Sequence, residues 1–256
     1  MRKRELYWIF AVCVLMLSSC LGDTNTRITV GLQEAVYQIN PARGFVLKDG
    51  RLIYSSQINS VNADHGDCFL VEYSFDTSNP ELQASDSLEV ELLGQPVPIP
   101  LWPLDQATLV DTILTDEQYI STIRTRTPYI KGCLFLWTEM KEPESQVDSL
   151  VMSYDPDELY TEAEGIRQYN LYLRAVRKSV EENDTIPVTM VHTDAFVIED
   201  FFNKALEIEN THNSEELNIA VNYASGHNKD TTAVNWSRSS LIKFKLNTTS
   251  GKWELD

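Results

Sequence analysis

The sequence predicts a mainly β protein: a small N-terminal barrel-like domain, then a C-terminal β-sandwich that carries one amphipathic helix. Three observations predict it. Short apolar segments alternate with polar residues at period two along most of the chain. Turn-forming residues separate those segments at close intervals. One stretch, residues 195–209, instead repeats its apolar residues at helical spacing.

The chain opens on an export signal. Arg2, Lys3 and Arg4 precede an unbroken run of 12 apolar residues, Leu6 to Leu17. As a helix that run rises roughly 18 Å, short of a bilayer core of about 30 Å, and it suits the apolar region of a signal peptide. Leu17-Ser18-Ser19-Cys20 resembles the lipobox of bacterial lipoproteins. That resemblance implies diacylglycerol on the Cys20 thiol and cleavage just before it. Each buried CH₂ of such an anchor contributes about 0.8 kcal/mol, so two or three acyl chains hold a protein firmly. Residues 1–19 are read as signal peptide and 20–26 as a polar tether. The expected address is the outer membrane, with either face open.

Charge narrows the partners. The whole chain carries 21 basic and 38 acidic residues. Cleavage before Cys20 removes three basic residues and one acidic one, leaving 18 against 37 and a formal charge of −19. Nucleic-acid binding requires basic patches that displace counterions, so nucleic acid is not an expected partner. The expected contacts are the membrane, through lipid on Cys20, and a protein or glycan.

The first folded unit is assigned to residues 27–95. Short strands are expected at Arg27–Val30, Glu34–Ile39, Gly44–Leu47 and Arg51–Tyr54. The last two flank Asp49-Gly50, a hairpin signal because glycine supplies the positive φ of the turn. Cys68–Phe75 and Ser87–Leu92 alternate cleanly. Short strands at this spacing suit an OB-like barrel. Pro96, Pro98, Pro100 and Pro103 then exclude a helix or a central strand, so residues 96–104 are read as an extended linker.

The second unit is assigned to residues 105–256. A helical turn is expected at 115–120, with strands at 131–138, 147–153, 168–176, 186–192, 217–223 and 239–246. Asp155-Pro156 reads as the capped start of a short helix. The amphipathic helix is placed at about 195–209, with Ile198, Phe201, Phe202, Ala205 and Leu206 on one face and Asp194 as its cap.

Candidate chemistry is sparse. Cys68 and Cys133 lie in strand-like apolar runs, and the exported compartment is oxidising. A disulfide between them fits. Two separately buried thiols fit as well, and the ease with which free cysteine packs favours the second. His65 sits among Asp64, Gly66 and Asp67, where a plain turn accounts for the residues better than a metal does. His192, His212 and His227 have no histidine partner at i+4. The acidic run Asp155, Asp157, Glu158, Glu162, Glu164 lacks the spacing of a calcium loop and reads as a solvated face. Trp102, Trp137, Trp236 and Trp253 suit sugar stacking or, more simply, a core. With no nucleophile elbow, phosphate loop or dinucleotide fingerprint, no catalytic, cofactor-binding or metal residue is assigned, and no cofactor is expected.

Five tripeptides of the form Asp, then Ser or Thr, then an apolar residue or Thr centre on Ser87, Thr112, Ser149, Thr185 and Thr231. They resemble the O-glycosylation acceptor motif of exported proteins in gut-type anaerobic Gram-negative bacteria, which implies a glycan on the central hydroxyl.

The lipobox, the Gly44-to-Tyr54 hairpin followed by Asp67–Phe75, and strand Tyr169–Arg177 with Phe196–Glu209 after it together resemble the NigD-like lipoproteins. The resemblance implies an OB-like domain before a β-sandwich, and it brings no known enzymatic activity and no established ligand. The family's link to a bacteriocin gene cluster implies an accessory or immunity role. The function expected first is therefore a non-catalytic binding or assembly lipoprotein. A cell-surface glycan-binding protein of a polysaccharide-uptake system stands second, and a hydrolase with an unrecognised site third.

Overall fold

The computed structural model describes residues 26–78, 85–107, 111–124, 128–249 and 252–256. The signal peptide, Cys20 and most of the tether lie outside them.

The N-terminal unit is one curled sheet. Its strands are β1 (Arg27–Gln38), β2 (Gly44–Val46), β3 (Leu52–Tyr54), β4 (Cys68–Asp76), β5 (Ser87–Glu89), β6 (Glu91–Leu92) and β7 (Val97–Ile99). Their order is β5-β3-β2-β1-β4-β6, and β7 also pairs with β4. The two ends of that order, β5 and β6, follow one another in the chain with only Val90 between them. A flat sheet cannot bring its edges that close, so this one wraps into a half-barrel around Tyr37, Phe45, Ile53, Phe69, Val71 and Leu88. The β2–β3 hairpin turns at Asp49-Gly50, where Gly50 has φ +81°.

Residues 96–104 are extended, as four prolines demand, and they are stitched into both units. β7 lies along β4, while β8 (Leu101–Trp102) runs parallel to a strand of the second unit. Both are short edge strands, where a missing N–H is tolerated.

The second unit packs two sheets. The larger contains β9 (Leu104–Gln106), β10 (Glu117–Gln118), β14 (Val147–Tyr154), β15 (Tyr160–Ala163), β16 (Ile166–Ser179), β18 (Glu216–His227), β19 (Val234–Arg238), β20 (Ile242–Asn247) and β21 (Lys252–Leu255). The smaller contains β8, β11 (Ile120–Ile123), β12 (Tyr129–Ile130), β13 (Cys133–Glu142) and β17 (Val188–Val197). One α-helix, α1 (Glu199–Thr211), carries the chain from β17 to β18 and buries Phe201, Phe202 and Ala205. Phe202 meets Tyr129 and Phe244 at ring distances of 4.6 and 4.8 Å.

β13 explains how the layers stack. Leu134, Leu136 and Met140 face the larger sheet, whereas Cys133 and Phe135 face the half-barrel. A strand buried on both faces needs the near-continuous apolar run Cys133-Leu134-Phe135-Leu136-Trp137. The protein is thus three layers deep: half-barrel, small sheet, large sheet. This is the expected mainly β class, a barrel-like unit followed by a sandwich with one helix.

Three local expectations need correction. The helix does not begin at 195: Ala195 and Phe196 pair with Phe135 and Leu134, and Val197 with Cys133, so β17 continues until Ile198 caps α1. Cross-strand pairing outcompetes the helical periodicity there, and Asp194 is a buried strand residue rather than a cap. Asp155-Pro156 starts no helix: Asp155 accepts from the Asp157 amide at 2.9 Å, an Asx turn leading into β15. Residues 115–120 turn and enter β10 and β11, because Glu117 is drawn into an ion pair with β16.

Candidate functional site

Two places in the structure have the makings of a site, a groove on the half-barrel and a polar cluster at one end of the sandwich. The groove, about 570 Å³, is lined by Gln57, Ser60–Asn62 and Leu92–Pro96. Gln57 holds its walls together: its carboxamide donates to the Leu92 carbonyl at 3.4 Å and accepts from the Leu92 amide at 2.8 Å. Leu93 is exposed on the wall. The Ser60 hydroxyl donates to the Gln57 carbonyl at 2.6 Å, leaving no activated nucleophile. Among the described residues no ionisable side chain lines the groove. Its volume falls within the usual range for small-ligand sites, and its chemistry is that of carboxamides, exposed backbone and two or three apolar patches.

The polar cluster is built by strand alternation. Glu142 lies in phase with Leu134, Leu136 and Met140, so β13 delivers a carboxylate to the end of the sandwich core. His192, on neighbouring β17, presents Nε2 to Glu142 Oε1. Gln146 Nε2 donates to both Asp148 oxygens at 3.0 Å. Burial pushes the Glu142 carboxyl up to about 7; a hydrogen bond with Asp148 adds to this and the His192 charge opposes it. No local pattern in the sequence marks this cluster, because His192 lies 50 residues from Glu142. The one signal is Glu142 itself, an acid on the core-facing phase of a strand. Neither the 570 Å³ groove nor a second one of about 210 Å³ beside Tyr154 includes these residues.

The cysteines are brought together. Cys68 begins β4, Cys133 begins β13, and both are buried in the seam between half-barrel and small sheet, with Val36, Val46, Ile99, Ile130, Phe135 and Ala195. Both thiols are free, and Cys68 Sγ donates to the Gly66 carbonyl at 3.7 Å. The neighbouring Cys133 and burial together push the Cys68 thiol well up.

The tryptophans are tied down. Trp102 Nε1 donates to Asp194 Oδ1 at 2.8 Å, Trp137 Nε1 to Glu34 Oε1 at 2.8 Å, and Trp236 Nε1 to Asp111 Oδ1 at 2.9 Å. Trp253 packs on the sandwich core. Trp236 meets Tyr172 nearly edge-on, at 75°, so the two form no flat platform for a sugar ring. His65 belongs to a turn, where its Nδ1 accepts from the Ile39 amide at 3.2 Å. Among the described residues no group of three or more His, Cys, Asp or Glu is arranged to hold a metal ion. Of the five acceptor hydroxyls, Thr112, Thr185 and Thr231 are on exposed residues, whereas Ser87 and Ser149 are half-buried within β5 and β14.

No family model matches the sequence, and no curated protein matches it. Solved structures do share the fold. An uncharacterised protein from Parabacteroides merdae superposes with a TM-score of 0.73 at 16% identity, covering 85% of this chain and 98% of its own. A proposed lipoprotein from Bacteroides fragilis superposes with a TM-score of 0.54 at 9% identity, covering 83% and 97%. A NigD-like immunity protein from Bacteroides caccae covers 89% and 97% at 10% identity, with a TM-score of 0.46 that is too loose to carry an argument. The chain shares its overall β architecture with the Parabacteroides merdae and Bacteroides fragilis proteins. No helix among the described residues is long and apolar enough to cross a membrane.

Proposed function

We propose that the protein is an exported lipoprotein, held at the outer membrane through lipid on Cys20, that binds or assembles with a partner and catalyses no reaction. The observation that carries this reading is the groove at Gln57, Ser60–Asn62 and Leu92–Pro96, which has the size of a ligand site and no group able to move a proton. A neutral groove of amides and backbone suits an extended segment of a partner protein. The groove bears no charge, although the chain as a whole is strongly acidic.

Recovery of the lipidated protein from its native membrane tests this directly. A reproducible protein partner, lost when Asn62 and Gln95 are both changed to alanine, is the expected result. Recovery of polysaccharide alone would transfer the groove to the glycan-binding reading, which its three carboxamides favour and the tethered tryptophans do not. The anchor has its own test. Cys20→Ala should fold but no longer fractionate with outer membrane, and membrane retention would sink the anchoring claim.

One observation favours a hydrolase, the hydrogen bond between Glu142 and His192. Glu142→Gln would abolish such an activity, so a turnover measured in the native protein and unchanged in that variant removes this reading.

A further inference from the structure

We propose that Cys68 and Cys133 form a disulfide that staples the half-barrel to the sandwich in the exported protein. Three observations about the fold carry it. The cysteines belong to different units, 65 positions apart, yet occupy one buried cluster. The strand ladders hold them there from two directions. Cys68 pairs with Ile99 of β7, Leu101 two residues on pairs with Ala195 of β17, and Val197 two residues beyond that pairs with Cys133. Among the described residues there is no other cysteine, so each is the other's one available disulfide partner there.

The chemistry is thiol–disulfide exchange with an exported dithiol–disulfide oxidoreductase or a small-molecule disulfide as oxidant. Cys133, as its thiolate, attacks one sulfur of the donor disulfide. Its S–S bond to the donor forms, the donor's own S–S bond breaks, and one donor thiol leaves with a proton. Cys68 then loses its proton and attacks the Cys133 sulfur, expelling the second donor thiol. Two electrons and two protons pass from the pair to the donor. Both thiols are under 6% exposed in the finished fold, so exchange belongs to the stage before the seam closes. Once formed, the bond is shielded from external reductants by the same packing.

The test uses the full chain exported by its native host, alkylated with iodoacetamide after denaturation without reductant. The expected result is no alkylation at positions 68 and 133, a peptide pair linking them, and a gain of two alkyl groups only after reduction. Cys68→Ser and Cys133→Ser should each leave the remaining cysteine fully alkylated. Two alkylated cysteines in the unreduced protein would overturn the proposal, as would a link from either one to another molecule.

Discussion

Trp137 and Glu34 join the two units by a hydrogen bond, indole Nε1 to carboxylate Oε1 at 2.8 Å, between residues 103 positions apart. Glu34 is 2% exposed and projects from β1 into the seam, where Trp137 continues the outward phase of Cys133 and Phe135. The seam thus combines apolar packing with at least one directional contact.

Trp137→Phe should therefore weaken the protein. A hydrogen bond to a charged group contributes about 1.5–3 kcal/mol, and a buried carboxylate that loses a donor keeps its desolvation penalty. Urea unfolding should show a fall of that size in the midpoint-derived stability. An unchanged midpoint would mean that the seam tolerates the loss through Glu34's other interactions.

A second prediction concerns the outer face of the large sheet. Arg174 on β16 donates from Nε to Glu117 Oε1 at 2.6 Å and from Nη2 to Glu117 Oε2 at 3.1 Å and to the Thr112 carbonyl at 2.6 Å. Its guanidinium also stacks over Trp236, 5.6 Å from the ring centre. This holds residues 111–118 down as a strap. Removing one member of a buried ion pair typically costs about 3–5 kcal/mol, so Glu117→Ala should be strongly destabilising in thermal unfolding. Arg174→Lys should recover little, because an ammonium cannot reproduce the two-pronged contact.

Glu142 makes stability depend on pH. Its folded pKa is raised to about 7 from an ordinary value of 4.5, with burial the main cause. Between those two values the folded protein holds a proton that the unfolded chain has released. The contribution is full below about pH 4.5 and is lost as pH rises through 7, at no more than about 1.4 kcal/mol per pH unit. Glu142→Gln should flatten that slope. The difference between wild type and variant, measured by denaturant unfolding at several values from pH 4.5 to 8, isolates the group. Parallel curves would contradict the assignment.

Exposure ranks the acceptor hydroxyls. If the native host glycosylates this chain, peptide mapping should find the glycan on Thr112, Thr185 or Thr231 and leave Ser87 and Ser149 bare. Glycan on either serine would mean that modification precedes strand pairing.

Much of the architecture was legible from local pattern. The Asp49-Gly50 hairpin, the alternation in Cys68–Phe75 and Tyr169–Ala175, and the prolines of 96–103 each act through residues that are neighbours in the chain. Backbone preference and period-two burial are properties of such short windows, so the sequence by itself determined the β class, several strands and the presence of the amphipathic helix. Tertiary structure decided what depends on residues far apart. It moved the helix start from 195 to 199, because Ala195–Val197 gain partners in β13 that no local window reveals. It set Glu142 against His192, and it placed two cysteines from separate units in one seam. Those pairings follow from the order in which sheets stack. That order minimises exposed apolar surface over the whole chain, and no single stretch of sequence encodes it.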